Sequence, residues 1–396
     1  MHPPILKARE DMQPYKRHLR FYRGARAVLS PLLKRLFRFE AQPGPEINGP
    51  YIVIANHTTD LDALLVSVSF PRHMYFVASE HIFRSWLLGG LLRYFLSPIP
   101  KQKGGADIST AMQIVRRLKK GINIGLFAEG SKSFDGKPCP VVPATGSLVK
   151  ASGASLVTYR LEGGYFTNPR WAHTFRTGRM RGYPVRAYSP EELARMTAEE
   201  VNEAIAADIG EDAYLRQAED PVAYRGKRLA QGLENALYMC PACLKIGTLH
   251  GEDNLFSCGC GLKTKIDEMG YLSGGPFHTV DEWGAWQKER LLERLKSGDE
   301  TELFSDGDQE IWRIPPRRQT APVARGTLSV SRAGLRLNDF TLAWREVLGM
   351  EILGKNTVVF SDGKGSHYQL ITRKERSGLK YLEAFRIMGQ AHERRE

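Results

Sequence analysis

The sequence predicts an α/β fold: a largely parallel sheet flanked by helices, then a small four-cysteine ribbon and a C-terminal antiparallel β module closed by a helix. Three observations carry this. Between residues 40 and about 190, short apolar runs alternate with helix-like segments, as in strands joined by helical crossovers. Four of the five cysteines fall in two close pairs, Cys240/Cys243 and Cys258/Cys260. From Ala324 onward short apolar runs are separated by turn residues, and an amphipathic stretch follows them.

At 396 residues, with 42% hydrophobic side chains, the chain is long enough for two or three domains and more than one core. Its 56 basic and 44 acidic residues leave a net charge of +12. Such a balance suits an anionic partner: nucleic acid, an anionic membrane surface, a phosphorylated substrate or an acidic carrier protein. Residues 15 to 38 concentrate eight Lys/Arg and no acid. Phe21, Ala25, Val28, Leu29, Leu32, Leu33 and Leu36 recur there at near-helical spacing. This reads as a basic amphipathic helix lying on a membrane surface, or as a solvated helix covering the main domain. Pro31 is expected to kink it or to start a second helix after Ser30.

The expected strands are 51–55, 73–78, 122–127 and 155–160, and the expected helices 61–69, 85–95, 107–120 and 146–152. Ser189-Pro190 marks a helix start, and Thr197 with Glu200 forms a capping-box pattern for a helix to about Ile209. A charged helix is expected from Thr279 to Lys296. An acidic loop then runs from Ser297 to Gln309, with a Pro-rich linker at Pro315-Pro316. Strands follow at 326–330, 334–337 and 340–344. A hairpin over 356–372 and a helix from Leu379 to Met388 complete the chain. The apolar stretch from Trp86 to Pro100 is interrupted by Arg93 and is shorter than the ~20 residues a spanning helix needs. It reads as a core helix or a membrane-facing patch. The N-terminus lacks the apolar region of a signal peptide, so an intracellular protein is expected.

Two strings carry chemistry. Asn56-His57-Thr58-Thr59-Asp60-Leu61-Asp62 follows the first apolar run, and Phe127-Ala128-Glu129-Gly130-Ser131-Lys132-Ser133 ends a later one. If a helix starts after the strand 51–55, Asp62 can reach one ring nitrogen of His57, fixing the tautomer and raising the basicity of the other. A histidine capping a turn, paired with an Asp, would satisfy the same spacing. The Glu129-Gly130 turn can expose backbone N–H groups, and Lys132 adds a point charge. Both suit a phosphate. Lys101 and Lys103 supply a second cationic wall or an ordinary solvated loop.

With its companion block downstream, Asn56-His57 with Asp62 resembles the N-H-x-x-x-x-D signature of the glycerolipid acyltransferase family, which includes lysophosphatidate (1-acylglycerol-3-phosphate) acyltransferases. The string Phe127–Ser133 is similar to that family's F-P-E-G-T-R-S block, and the likeness spans roughly residues 15 to 190. It implies an acyltransferase-type sheet and O-acyl transfer from acyl-CoA or acyl-carrier protein to a lysophospholipid in phospholipid synthesis. His57 would be general base and Asp62 its orienter. Glu129, Gly130, Ser131 and Lys132 would stand at the acceptor's phosphate, with Lys101 or Lys103 where the family usually has an arginine. No redox cofactor or catalytic metal is implied. Ala128, Ser131 and Lys132 replace the family's Pro, Thr and Arg. Lysine keeps the charge without the bidentate fork. Strand 156–160 lacks a proline often found there.

Cys240-Pro241-Ala242-Cys243 and Cys258-Gly259-Cys260 can offer four thiolates to a tetrahedral, structural Zn²⁺. A redox pair or an iron–sulfur cluster would use the same residues. The C-terminal pattern resembles a pleckstrin-homology module, for binding lipid or protein or for packing on the catalytic domain. The expected organisation is a membrane-associating segment (1–39), catalytic domain (40–215), zinc ribbon (216–275), helix and linker (276–323) and β module (324–396). The protein would sit in the cytoplasm, peripheral on the inner face of the membrane. The contrasting expectation is a catalytically silent lipid-binding or scaffold protein. Nucleic-acid binding ranks last, because the basic density lies far from the cysteines.

Overall fold

A computed structural model describes residues 13–79, 98–101, 108–296, 302–314, 321–372 and 376–393. The expected helix at 85–95, with its apolar surface from Trp86 to Phe95, and the predicted anion-binding residue Lys103 lie outside the described residues.

Helix α1 (Gln13–Phe37) is continuous through Pro31, so no second helix starts after Ser30. The first sheet comprises β1 (Phe39–Ala41), β2 (Tyr51–Ala55), β3 (Met74–Ser79), β4 (Ile99–Lys101), β5 (Asn123–Phe127), β6 (Ser155–Glu162) and β7 (Met180–Tyr188), in the order β1-β7-β6-β2-β5-β3-β4. Only the β6–β7 pair is antiparallel, so the sheet is largely parallel as expected. Parallel strands need crossovers that cover both faces, and this explains the unbroken apolar character of β2, buried at all five positions.

Alternation along β2 divides two cores. Ile52 and Ile54 face a layer with Ile114 and Leu118 of α3 (Ile108–Lys119), Val149 of α4 (Ala144–Ser152), and later helices. Tyr51, Val53 and Ala55 face Leu65 and Val66 of α2 (Asp62–Ser69) and Leu33 of α1. Each fully buried aliphatic side chain of this kind contributes about 1.5–3 kcal/mol of transfer free energy. Helix α1 is held by polar bonds as well. Tyr22 donates to the carbonyls of Ser67 and Phe70, both at 2.6 Å. The His18 ring lies 2.7 Å from the Tyr75 hydroxyl.

After the short α5 (Gly164–Thr167) and β7 come α6 (Pro190–Arg195), α7 (Ala198–Ile209) and α8 (Ala213–Glu219). Ser189 caps α6, and the reciprocal Thr197–Glu200 capping box forms as its sequence requires. Next, β8 (Leu249–Glu252), β9 (Leu255–Cys258), β10 (Lys263–Ile266) and β11 (Leu272–Ser273) make a four-stranded antiparallel ribbon. Helix α9 (Val280–Lys296) leads into a second seven-stranded sheet: β12 (Phe304–Ile314), β13 (Ala321–Val330), β14 (Gly334–Leu337), β15 (Phe340–Ala343), β16 (Val347–Leu353), β17 (Thr357–Asp362) and β18 (His367–Thr372). It is antiparallel and closed by α10 (Leu379–Glu393).

Two features differ from expectation. Of the stretch Ser297–Gln309 read as an acidic loop, residues 297–301 lie outside the described residues, and Phe304 to Gln309 belong to the central strand β12, between β13 and β18. Its Asp306 is buried because Arg376 and Lys380, around the start of α10, neutralise it. The strand 347–353 was not anticipated. The ribbon, α9 and the second sheet share one apolar core from Phe134 to Met388, so the ribbon is packed into its neighbours. Trp283 of α9 donates to the Met239 carbonyl at 2.9 Å. Gln287 accepts from the Tyr238 N–H at 2.9 Å and donates to the Ala236 carbonyl at 2.8 Å.

Candidate active site

The two chemistry-bearing strings leave the same edge of the first sheet. Strands β2 and β5 are parallel neighbours, and the register pairs Ala55 with Phe127, the last residue of each. The carboxyl ends of parallel strands are where α/β sheets place their ligands. The turn after β2 therefore lies beside the turn after β5, and Asn56 fixes it. Its side-chain amide donates to the Leu161 carbonyl at 2.8 Å and accepts from the Leu161 N–H at 2.7 Å, prolonging the β2–β6 ladder.

His57 Nδ1 lies 2.7 Å from Asp62 Oδ2. A carboxylate only accepts, so Nδ1 carries the proton and Nε2 presents its lone pair. Among the described residues Nε2 has no hydrogen-bond partner. The ring stacks on Phe127, centroids 4.6 Å apart and planes 18° from parallel, and Phe127 stacks on Phe76. The His57 side chain is 27% exposed while Asp62 is fully buried, an accessible base over a hidden orienter.

Asp62 opens α2, and its carboxylate is satisfied from the chain just before it. It accepts the N–H groups of Thr58 (2.6 Å) and Thr59 (2.9 Å), and the Thr59 hydroxyl at 2.7 Å. The Thr59 hydroxyl also accepts from the Leu61 N–H. The reciprocal pattern resembles a capping box, so the two threonines hold the acid in place. A Cβ on Gly164 would sit 2.1 Å from Thr58 Oγ1. Glycine there lets the β6–β7 loop close over the turn.

Glu129 ties two turns of the site together. Its carboxylate accepts the His57 N–H at 2.6 Å and the Cys139 N–H at 3.1 Å, fastening the His57 turn to the loop after β5. Burial pushes its carboxyl up to about 8, against these N–H groups, which hold it down. Gly130 follows at φ +67°, the left-handed region glycine favours, and turns the chain toward Ser131 and Lys132.

Lys132 Nζ lies 2.5 Å from Asp60, the exposed residue between His57 and Asp62. The Ser131 hydroxyl accepts from Arg170 Nη1 at 2.6 Å. Lys101 ends the edge strand β4 on the same edge of the sheet, with β3 between it and β5, about 10 Å away at ordinary strand spacing. The site thus gathers His57, Asp62, Glu129, Gly130, Ser131 and Lys132, with Lys101 at its margin. Thr58 and Thr59 were not singled out from the sequence, although hydroxyl residues close before an acid are the signal that marks them. Asp60 and Arg170 carried no motif.

The cysteines form a separate centre. The first knuckle is pinned by the Leu244 N–H on the Cys240 carbonyl, and the second turns through Gly261 at φ +103°. The four Sγ atoms lie within 4.8 Å of one another, with Cys240–Cys260 at 3.6 Å and Cys243–Cys258 at 3.8 Å. A tetrahedron with Zn–S bonds of about 2.3 Å has edges of about 3.8 Å, so the sulfurs fit such an ion. They stand far beyond disulfide length, and all are free thiols.

Residues 34–178 match the family model described as Acyltransferase, a span holding both strings and Arg170. Among solved structures, the chain is similar to the crystal structure of the 1-acyl-sn-glycerophosphate (LPA) acyltransferase PlsC from Thermotoga maritima. The identity is 16% and the TM-score 0.40, over 50% of this chain and 83% of that one.

Proposed function

We propose, from the acyltransferase match over residues 34–178, that the protein transfers a fatty acyl group from acyl-CoA or acyl-carrier protein to the hydroxyl of lysophosphatidate or a related lysolipid. The observation that carries this is the His57–Asp62 pair at the edge where the Glu129–Lys132 turn stands beside it. Nε2 of His57 takes the proton of the acceptor hydroxyl as its oxygen attacks the thioester carbonyl. Collapse of the tetrahedral intermediate expels the thiolate, which recovers that proton from His57, leaving an ester and a free thiol. Asp62 holds the tautomer and stabilises the imidazolium formed on the way. The acceptor's phosphate lies against the turn of Gly130, Ser131 and Lys132. Glu129 positions this turn relative to His57 and does not contact the phosphate.

The setting is a membrane surface. Phe21, Val28, Leu32 and Leu36 of α1 are exposed, Val28 at 66%, among Arg20, Arg23, Lys34 and Arg35. An exposed apolar stripe with basic flanks suits the boundary of an anionic bilayer. No helix among the described residues is long and apolar enough to cross a membrane. Such an enzyme would work peripherally, on the cytoplasmic face. The four cysteines would hold a structural Zn²⁺: with four protein ligands no coordination position is left for a substrate.

The Lys132–Asp60 ion pair supports a second reading, a catalytically silent lipid-binding or scaffold protein, because Asp60 competes with an anionic acceptor for the lysine. The test is turnover of labelled acyl-CoA or acyl-carrier protein with a panel of lysolipids. Acyl transfer that collapses in His57→Ala supports the first reading. Lipid binding without transfer by the native protein supports the second.

A further inference from the structure

Arg170, in the loop between β6 and β7, is only 5% exposed and uses its guanidinium to tie three segments together. Nη1 donates to the Ser131 hydroxyl at 2.6 Å and to the Lys132 carbonyl at 2.9 Å. Nη2 donates to the Ile352 carbonyl at 2.7 Å, and Nε to the Gly354 carbonyl at 2.8 Å. The group lies over the Phe134 ring, 4.3 Å from its centroid. Ser131, Lys132 and Phe134 follow β5, whereas Ile352 and Gly354 belong to the end of β16 and the turn into β17. Gly354 is at φ +59° there.

Every acceptor is a carbonyl or a hydroxyl. Among the described residues no carboxylate lies within ion-pair distance of Arg170, so its charge is not cancelled by direct contact. Lys132, by contrast, is paired with Asp60. A buried cation is costly unless it is paired and its donors are satisfied. The planar fork satisfies four acceptors on two distant segments at once, which an ammonium cannot do.

We propose that Arg170 is a positioning residue for the anion-binding turn at 130–132, and that the second sheet, through the Ile352 and Gly354 carbonyls, is a working part of the acceptor site. This rests on the acyltransferase reading above. The sheet holds the guanidinium from behind, and the guanidinium fixes Ser131 and the Lys132 backbone in front. Its charge adds to the field an acceptor's phosphate meets. The turn after β16 would then set acceptor affinity from outside the family-matched span, without touching the acceptor.

The test compares the full-length native protein with Arg170→Gln, Arg170→Lys and Gly354→Pro, the last displacing the carbonyl socket; Gly354→Ala is the milder form if Gly354→Pro fails to fold. Acyl transfer to lysophosphatidate should show an acceptor KM raised about tenfold in Arg170→Gln, with the acyl-CoA KM held within about twofold. Arg170→Lys should recover part of the loss, and the Gly354 variants should move the same constant. A phosphate-free monoacylglycerol acceptor should be affected less. Amide hydrogen exchange should speed up at residues 130–136 in Arg170→Gln and the Gly354 variants, while β2 and β6 stay protected. The proposal is overturned if the variants lower Tm yet leave the acceptor KM and that exchange unchanged, or if both acceptors weaken equally. If the native protein transfers no acyl group, the reaction reading fails on its own. Hydrogen exchange in the Gly354 variants then decides the coupling: faster exchange at 130–136 upholds it, and unchanged exchange refutes it.

Discussion

At the residue scale the site is a relay of local constraints. Asp62 sits five positions after His57, and the intervening threonines supply its donors, so the arrangement is written in six consecutive residues. That locality is why the pair could be read from sequence. Glu129 and Arg170 could not be read so fully, because their bonds run 72 and 182 residues along the chain. The sequence shows Glu129 only as part of a turn, and its bonds to the His57 and Cys139 N–H groups appear in the structure alone. Its raised pKa makes a prediction. A carboxyl at about 8 in the folded chain, against a usual 4.5, binds a proton that the unfolded chain has lost across that interval. Its contribution to stability is full below about 4.5 and is lost as pH rises through about 8. Glu129→Gln should therefore gain stability relative to the native protein between pH 5 and 8.5, measured by urea unfolding at both pH values. A constant difference between the two proteins would show that Glu129 does not titrate in this window.

At the element scale, α1 divides the stripe that the sequence presented as one apolar face. His18, Tyr22 and Leu33 turn inward, and Phe21, Val28, Leu32 and Leu36 remain outside. Apolar spacing alone could not separate these two faces. The separation depends on where the sheet lies. Replacing Leu32 and Leu36 together by Glu should weaken sedimentation with phosphatidylglycerol-containing vesicles at least about tenfold, through lost apolar burial and reversed charge, with little change in Tm. Strand β12 teaches a converse lesson. Ser305 to Glu310 is polar enough to read as a loop, and a bulge between Asp306 and Gln309, with Asp308 at φ +55°, breaks its alternation. Its polar residues are compensated by partners from distant elements, Arg376 and Lys380 on Asp306 and Arg325 on Glu310. No local pattern announces that.

At the scale of the whole molecule, the fold class and the four-cysteine cluster were legible because each rests on short-range patterning. The packing of ribbon, α9 and second sheet into one core was not, since it depends on the tertiary meeting of Trp283, Phe256 and the α10 face. That continuity predicts the consequence of metal loss. The protein should carry one zinc per chain by elemental analysis. Chelation or Cys243→Ser should lower Tm and loosen α9 as well as the ribbon, as followed by hydrogen exchange. Loosening confined to residues 240–261 would show that the ribbon stands apart energetically. In the whole molecule, His57, oriented by Asp62, would run acyl transfer at the edge of the first sheet. The direct measurement is steady-state transfer of labelled acyl groups to lysophosphatidate by the native protein and by His57→Ala. The account predicts robust turnover that falls about 10²–10⁴-fold in the variant while its Tm stays close to native. Unchanged turnover in His57→Ala would contradict it.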